Sequence, residues 1–124
     1  MKNKGFTLIE LLAVIVILAI IALIATPIIL GIITDAREQA KERSAEAVVH
    51  AMETAYLTAM MKVEANGGTF DNTTVVTNTK VDNEASRTTD SITTKDGVTC
   101  TLNSTYSVTC TGLTTAKTVQ LVTQ

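Results

Sequence analysis

The sequence predicts an α+β fold in which one long N-terminal helix is followed by a small antiparallel sheet. The first observation is that no charged residue lies between Leu11 and Thr34, and apolar residues then recur at helical spacing as far as Ala65. The second is a change of composition after the helix. Threonine, which is β-branched and favours strands, accounts for 18 of the 59 residues from Asn66 to Gln124.

The first part of the helix is long and apolar enough to cross a membrane. The 23 residues from Leu11 to Ile33 give a helix of roughly 35 Å, compared with about 30 Å for the hydrocarbon core of a bilayer. Lys2 and Lys4 precede this segment, and positive residues beside a first membrane segment stay on the cytoplasmic side. We therefore expect the chain from Asp35 onward to lie outside the cytoplasmic membrane.

Glu10 is unusual because it places a carboxylate at the entrance to this apolar segment. A charged side chain inside a membrane costs about 2.5–3.5 kcal/mol on insertion scales and usually has a partner. No Lys or Arg follows within helical reach. Cleavage between Gly5 and Phe6 would create an amino group, and that group on a neighbouring copy is a candidate partner for Glu10.

The residues Lys4-Gly5-Phe6-Thr7-Leu8-Ile9-Glu10, followed by an apolar helix, resemble the class III signal of type IV prepilins. That family also includes pseudopilins and competence pilins. The resemblance extends from Lys4 to Ala40 and implies the type IV pilin fold. It further implies that a prepilin peptidase cuts between Gly5 and Phe6, that Phe6 is N-methylated, and that Glu10 pairs with the N-terminus of an adjacent subunit.

The function implied by the resemblance is structural. The chain would polymerise through its apolar helix into a helical surface filament, with the help of membrane assembly machinery, for motility, adhesion or DNA uptake. Two alternatives stay open: the major pseudopilin of a type II secretion or competence system, and a membrane-anchored extracellular binding module that never polymerises. A secretory signal is disfavoured because its apolar run spans only about 7–15 residues.

The chain accordingly divides into four parts. The predicted order is a leader peptide, a transmembrane and filament-core helix, an amphipathic helix, and a Thr-rich β domain with one disulfide. These parts comprise residues 1–5, 6–34, 35–66 and 67–124.

Pro27 and Gly31 predict a hinge in the membrane helix, because proline lacks a backbone donor and glycine weakens a helix interior. We expect a kink or a locally unwound stretch at residues 22–27. The resemblance supports this hinge, since pilins lose helicity near a matching proline on filament assembly. The helix is expected to end at Asn66-Gly67-Gly68, where consecutive glycines can cap it.

Beyond the membrane, apolar and small residues form a stripe of helical period that we expect to pack on the sheet. Charged residues on the first turns of this segment include Glu38 with Lys41 and Arg43 with Glu46, which can form weak ion pairs. The stripe comprises Ala36, Ala40, Ser44, Ala47, Val48, Ala51, Met52, Ala55, Tyr56, Ala59, Met60 and Val63.

Three strands are predicted in the Thr-rich part, at Gly97–Leu102, Tyr106–Cys110 and Lys117–Thr123, whereas the polar stretch Asn78–Thr94 is predicted to be a loop. The first two strands form a hairpin. If Leu102 faces Val108 in that hairpin, Cys100 faces Cys110, and oxidising conditions outside the membrane favour a disulfide between them.

The sequence offers no constellation typical of an enzyme, a metal centre or a cofactor site. His50 is predicted to be a surface or packing residue. The scattered aspartates Asp71, Asp82, Asp90 and Asp96 lack the alternating pattern of a compact calcium loop. A formal net charge of −2 argues against a stable nucleic-acid partner. Two sequences, beginning at Asn72 and Asn103, fit the N-glycosylation pattern, although such patterns arise easily by chance in Thr-rich segments.

Overall fold

A computed structural model describes Gly5 and residues 7–121 of the chain, and it confirms the α+β prediction: one long helix and a small antiparallel sheet. The chain forms two compact units, residues 1–36 and 37–124. The helices and strands are α1 Leu8–Asn66, α2 Asn72–Asn78, β1 Glu84–Arg87, β2 Ser91–Thr94, β3 Thr99–Leu102, β4 Ser107–Thr111 and β5 Lys117–Gln120.

In the first unit, α1 passes through Pro27 and Gly31 without a break. Two threonine hydroxyls bind carbonyls one turn earlier: Thr26 Oγ1 donates to the Ala22 carbonyl at 2.6 Å, and Thr34 Oγ1 donates to the Leu30 carbonyl at 2.9 Å. Neither bond reaches the carbonyl of Leu23, whose helical donor is missing at Pro27. Residues 22–27 are helical here, so the unwound stretch is not seen, while a kink and a loss of helicity on assembly stay predictions.

In the second unit, α1 buries one narrow face. The predicted stripe is correct for Val48, Met52, Tyr56 and two alanines. Four of its other residues are exposed, namely Ala36, Ala40, Ala47 and Met60. Small residues surround the helix here, so the sequence did not show which of them the sheet would cover. The buried residues of α1 are Ala45, Val48, Met52, Ala55, Tyr56 and Ala59.

The five strands form an antiparallel meander in which each strand pairs with the next along the chain. The predicted hairpin is confirmed, because Leu102 pairs with Val108 and Cys100 pairs with Cys110. One face of the sheet supplies the other half of the core. Its buried side chains are Ile92, Thr94, Cys100, Leu102, Val108 and Cys110.

The prediction of a loop over Asn78–Thr94 is wrong, because this stretch contains the β1–β2 hairpin. Its turn is held by the Thr88 amide, which donates to the Ser91 carbonyl at 2.9 Å, and by a 2.5 Å bond between the two side-chain hydroxyls. Ile92 is the buried apolar residue of these two strands. With so little apolar alternation, the sequence carries almost no strand signal here.

Helix α2 was also missed by sequence reasoning, because seven residues are too few to show a period. Asp71 begins it as the N-cap, and its carboxylate accepts a hydrogen bond from the Thr73 amide at 3.2 Å. Val75 and Val76 anchor it in the core. The short helix thus contributes two buried side chains to the core.

Candidate functional site

The N-terminal turn of α1 holds Glu10 in a capping box. The Thr7 amide donates to Glu10 Oε2 at 3.1 Å, and the Glu10 amide donates to Thr7 Oγ1 at 3.3 Å. Each residue thereby satisfies a backbone donor of the other, and the carboxylate lies at the positive end of the helix dipole. Thr-x-x-Glu is the sequence pattern of a capping box, so this local partner of Glu10 could be predicted from the sequence, whereas a search for a nearby cation does not find it.

Gly5 precedes this capped turn, is exposed and lies outside the helix. Phe6 lies outside the described residues. Cleavage between Gly5 and Phe6, methylation of Phe6 and pairing of its amino group with Glu10 therefore stay predictions.

Behind the capped turn, the helix presents an apolar surface that its own unit does not cover. Leucine, isoleucine and valine side chains from Leu8 to Ile33 are exposed around the helix. By length and composition, α1 could cross a membrane. Glu10 is the acidic residue at the start of this surface.

Residues 1–26 match the family model of the prokaryotic N-terminal methylation motif. The chain carries this motif. The methylation motif is the class III signal peptide of type IV pilins, which confirms the resemblance seen in the sequence. It covers residues 1–5, Glu10 and the first part of the apolar helix, and it supports a pilin-like or pseudopilin precursor. The Thr-rich domain lies outside the matched residues. No curated protein and no solved structure matches the chain.

Outside the motif, the first charged turns of the second unit fasten the β4–β5 loop to α1. Glu38 Oε1 accepts a hydrogen bond from the Thr114 amide at 2.5 Å, and Lys117 Nζ lies 3.3 Å from Glu46 Oε1. The bonds from Thr114, together with a weaker effect of Lys41, lower the pKa of Glu38. The predicted pairs Glu38–Lys41 and Arg43–Glu46 are not formed among the described residues, because their carboxylates turn toward the loop instead.

The predicted disulfide between Cys100 and Cys110 is present, and both residues are fully buried. It joins directly opposed residues of β3 and β4, so it links the middle of the sheet at the surface that faces α1. The cystine therefore has a structural place in the core.

The weaker candidates are the two asparagines of the glycosylation pattern and His50. Asn103 donates from Nδ2 to Ser107 Oγ and Thr109 Oγ1, and Asn72 donates from Nδ2 to the Asn103 carbonyl. Both amide nitrogens of the possible glycosylation sites are thus engaged. His50 is exposed on α1, and no group of three His, Cys, Asp or Glu side chains in residues 5 and 7–121 is placed to hold a metal ion.

Proposed function

We propose that the chain is the precursor of a type IV pilin-like subunit, and that its mature form polymerises through the apolar helix into a surface filament. The observation that carries this proposal is the methylation motif leading directly into a helix whose apolar surface is uncovered. A prepilin peptidase would remove residues 1–5 and the pilus assembly machinery would take up the product. The precursor would sit in the cytoplasmic membrane with its Thr-rich domain outside.

The exposed apolar surface of α1 must be covered both before and after filament assembly. Fully burying one leucine or isoleucine side chain is worth about 1.5–3 kcal/mol, so the row from Leu8 to Ile33 cannot remain in water. Lipid covers it before assembly. After extraction from the membrane, the same helices of other copies are the surface of matching length and chemistry, and a bundle of them forms the filament core.

Glu10 would set the register in which neighbouring helices pack. The Thr7 amide satisfies one carboxylate oxygen, but a backbone amide does not neutralise the charge. An amino group on Phe6 of an adjacent copy would supply a full positive charge at the same depth. Pairing of this kind favours one longitudinal register between neighbouring helices.

The test replaces Glu10 with leucine in the expressing cell. We expect Glu10→Leu to enter the membrane as well as the wild type and to lower the yield of sheared filaments at least tenfold, because the register-setting charge is gone. The matched control is Glu64→Leu, at the exposed C-terminal end of α1. Electron microscopy of sheared material and mass spectrometry of the N-terminus provide the readouts.

Normal filaments from Glu10→Leu would refute the pairing, and a wild-type chain that retains residues 1–5 would refute the processing. The same micrographs separate the alternatives. Long surface fibres favour a pilus, and short fibres seen only on overproduction favour a pseudopilus. Wild-type protein that stays monomeric on cells favours the anchored binding module.

A further inference from the structure

The outer face of the sheet, opposite the core, carries hydroxyl side chains in two regular rows. Strand pairing places one row across β1 to β4 and the other across β2 to β5. We call these eight residues the hydroxyl face. The rows are Ser86, Thr93, Thr99 and Thr111, and Ser91, Thr101, Thr109 and Thr118.

The hydroxyl face is free of charge, although the strands themselves are not. Glu84, Arg87 and Lys117 are the charged residues of the five described strands, and they pair with Thr94, Ile92 and Cys110, whose side chains belong to the core face. The charged side chains of these strands lie on the core side. The hydroxyl face therefore offers no electrostatic attraction to a charged partner, and a neutral partner suits it best.

The hydroxyls are also ordered before any partner arrives. Thr93 Oγ1 and Thr99 Oγ1 lie 3.0 Å apart, and Thr109 Oγ1 and Thr118 Oγ1 lie 3.3 Å apart. Each hydroxyl has one donor and two acceptor positions, so these bonds leave capacity free. Threonine has a single restricted side-chain torsion, which means that little side-chain entropy is lost when the face binds.

We propose that the hydroxyl face is a contact surface for a neutral polysaccharide. Neighbouring strands lie about 4.8 Å apart, and the two rows are separated by two residues along each strand, or about 6.8 Å. The backbone thus sets a regular array of hydroxyls that a polymer with repeating hydroxyls can meet at several points. The face has no aromatic ring to stack on a sugar, so one domain binds weakly. Many copies on one surface bind through avidity.

The test uses the full-length chain at high density in phospholipid vesicles, so it does not require filament assembly or the proposed function. Microcrystalline cellulose is the neutral probe and alginate beads are the anionic one. We expect vesicles with protein to sediment with cellulose at least tenfold more than empty vesicles. Retention should be unchanged between about 0.05 M and about 0.5 M NaCl, because no charge pair takes part.

The variant Thr99→Val/Thr101→Val removes one hydroxyl from each row on the central strand while keeping a β-branched shape. We expect it to lose at least four fifths of the retention. Its matched control, Thr54→Val/Thr58→Val, changes two exposed threonines of α1 and should keep the wild-type value. Circular dichroism and an intact Cys100–Cys110 bond verify folding, and the single variant Thr101→Val replaces the double variant if it does not fold.

Three results would overturn the proposal. The first is wild-type vesicles that sediment with cellulose no better than empty ones. The second is equal retention of the hydroxyl-face variant and the wild type. The third is stronger retention on alginate than on cellulose, or retention lost in salt, since either would show that charge governs the binding.

Discussion

At the scale of single residues, Thr7 and Glu10 form a capping box, which a search for ion pairs does not find. The two side chains cap α1 through reciprocal bonds of 3.1 and 3.3 Å. The carboxylate is therefore held in place before any neighbouring copy approaches. In a membrane, where backbone donors have no water to bind, such a cap satisfies groups that would otherwise remain open.

Replacing Thr7 tests this cap. We expect Thr7→Ala to weaken the first turn by about 1 kcal/mol, the usual cost of losing a threonine N-cap. Amide exchange at Glu10, measured by NMR in detergent micelles, should then be roughly five times faster. Thr7→Ser retains the hydroxyl and should exchange at the wild-type rate. Equal exchange in Thr7→Ala and the wild type would show that the capping box contributes nothing.

Glu38 makes the attachment of the β4–β5 loop sensitive to acid. Its carboxylate accepts the Thr114 amide, and this hydrogen bonding lowers its pKa below the ordinary value of 4.5. Because the folded-state pKa is depressed, the stabilisation is present above the unfolded pKa and is lost as the pH falls through the folded one.

We therefore expect the Thr114 amide resonance to titrate with a midpoint below 4.5, with the loop released at the acid end. An NMR titration from about pH 7 to about pH 2 measures this, and Glu38→Gln should abolish the transition. A Thr114 resonance that titrates unchanged in Glu38→Gln would assign the effect to another carboxyl group.

At the scale of elements, α2 depends on a residue from the following hairpin. A helix of seven residues is marginal by itself. Arg87 donates hydrogen bonds to the carbonyls of Val76, Thr77 and Thr79 at the C-terminal end of α2. The same guanidinium donates two hydrogen bonds to the carboxylate of Glu84. Arg87 therefore joins β1 to α2 and lets a very short helix persist.

Loss of the guanidinium fork should destabilise the second unit measurably. We expect Arg87→Ala to lower the free energy of unfolding by about 1.5–3 kcal/mol, the range for hydrogen bonds to a charged group. Arg87→Lys should retain only part of this stabilisation, because an ammonium group cannot reproduce the planar fork of the guanidinium. Chemical denaturation provides the measurement, and the exposed Lys95→Ala is the control. If Arg87→Lys were as stable as the wild type, the positive charge alone would account for the stabilisation.

The β3–β4 hairpin is tied by the cystine at its middle. Closing a loop with a sequence separation of 10 contributes about 3 kcal/mol in the chain-entropy model. We expect Cys100→Ala/Cys110→Ala to lower stability by at least that amount. Reducing the wild type should cost less, because reduction keeps the two buried sulfur atoms that the alanines remove. Thermal unfolding of the full chain in detergent, with and without reductant, tests this. An unchanged midpoint would show that the core holds without the bond.

At the scale of the whole molecule, the two compact units follow different physical rules. In the first unit, the residues from Leu8 to Ile33 expose apolar side chains, and the methylation motif lies in this unit. Residues 37–124 have a core of their own between one face of α1 and one face of the sheet. The proposed polymerisation belongs to the first unit, and the proposed polysaccharide contact belongs to the second.

The sequence determined the features that have a strong local signature. Residue types and spacing predicted the motif around Gly5 and Glu10, the helix end at Asn66 and the Cys100–Cys110 pairing. The tertiary structure decided the rest. Helix α2 and the β1–β2 hairpin exist because Arg87 and the core support segments too short or too polar to form alone. The hydroxyl face exists only because strand pairing brings distant serines and threonines into rows.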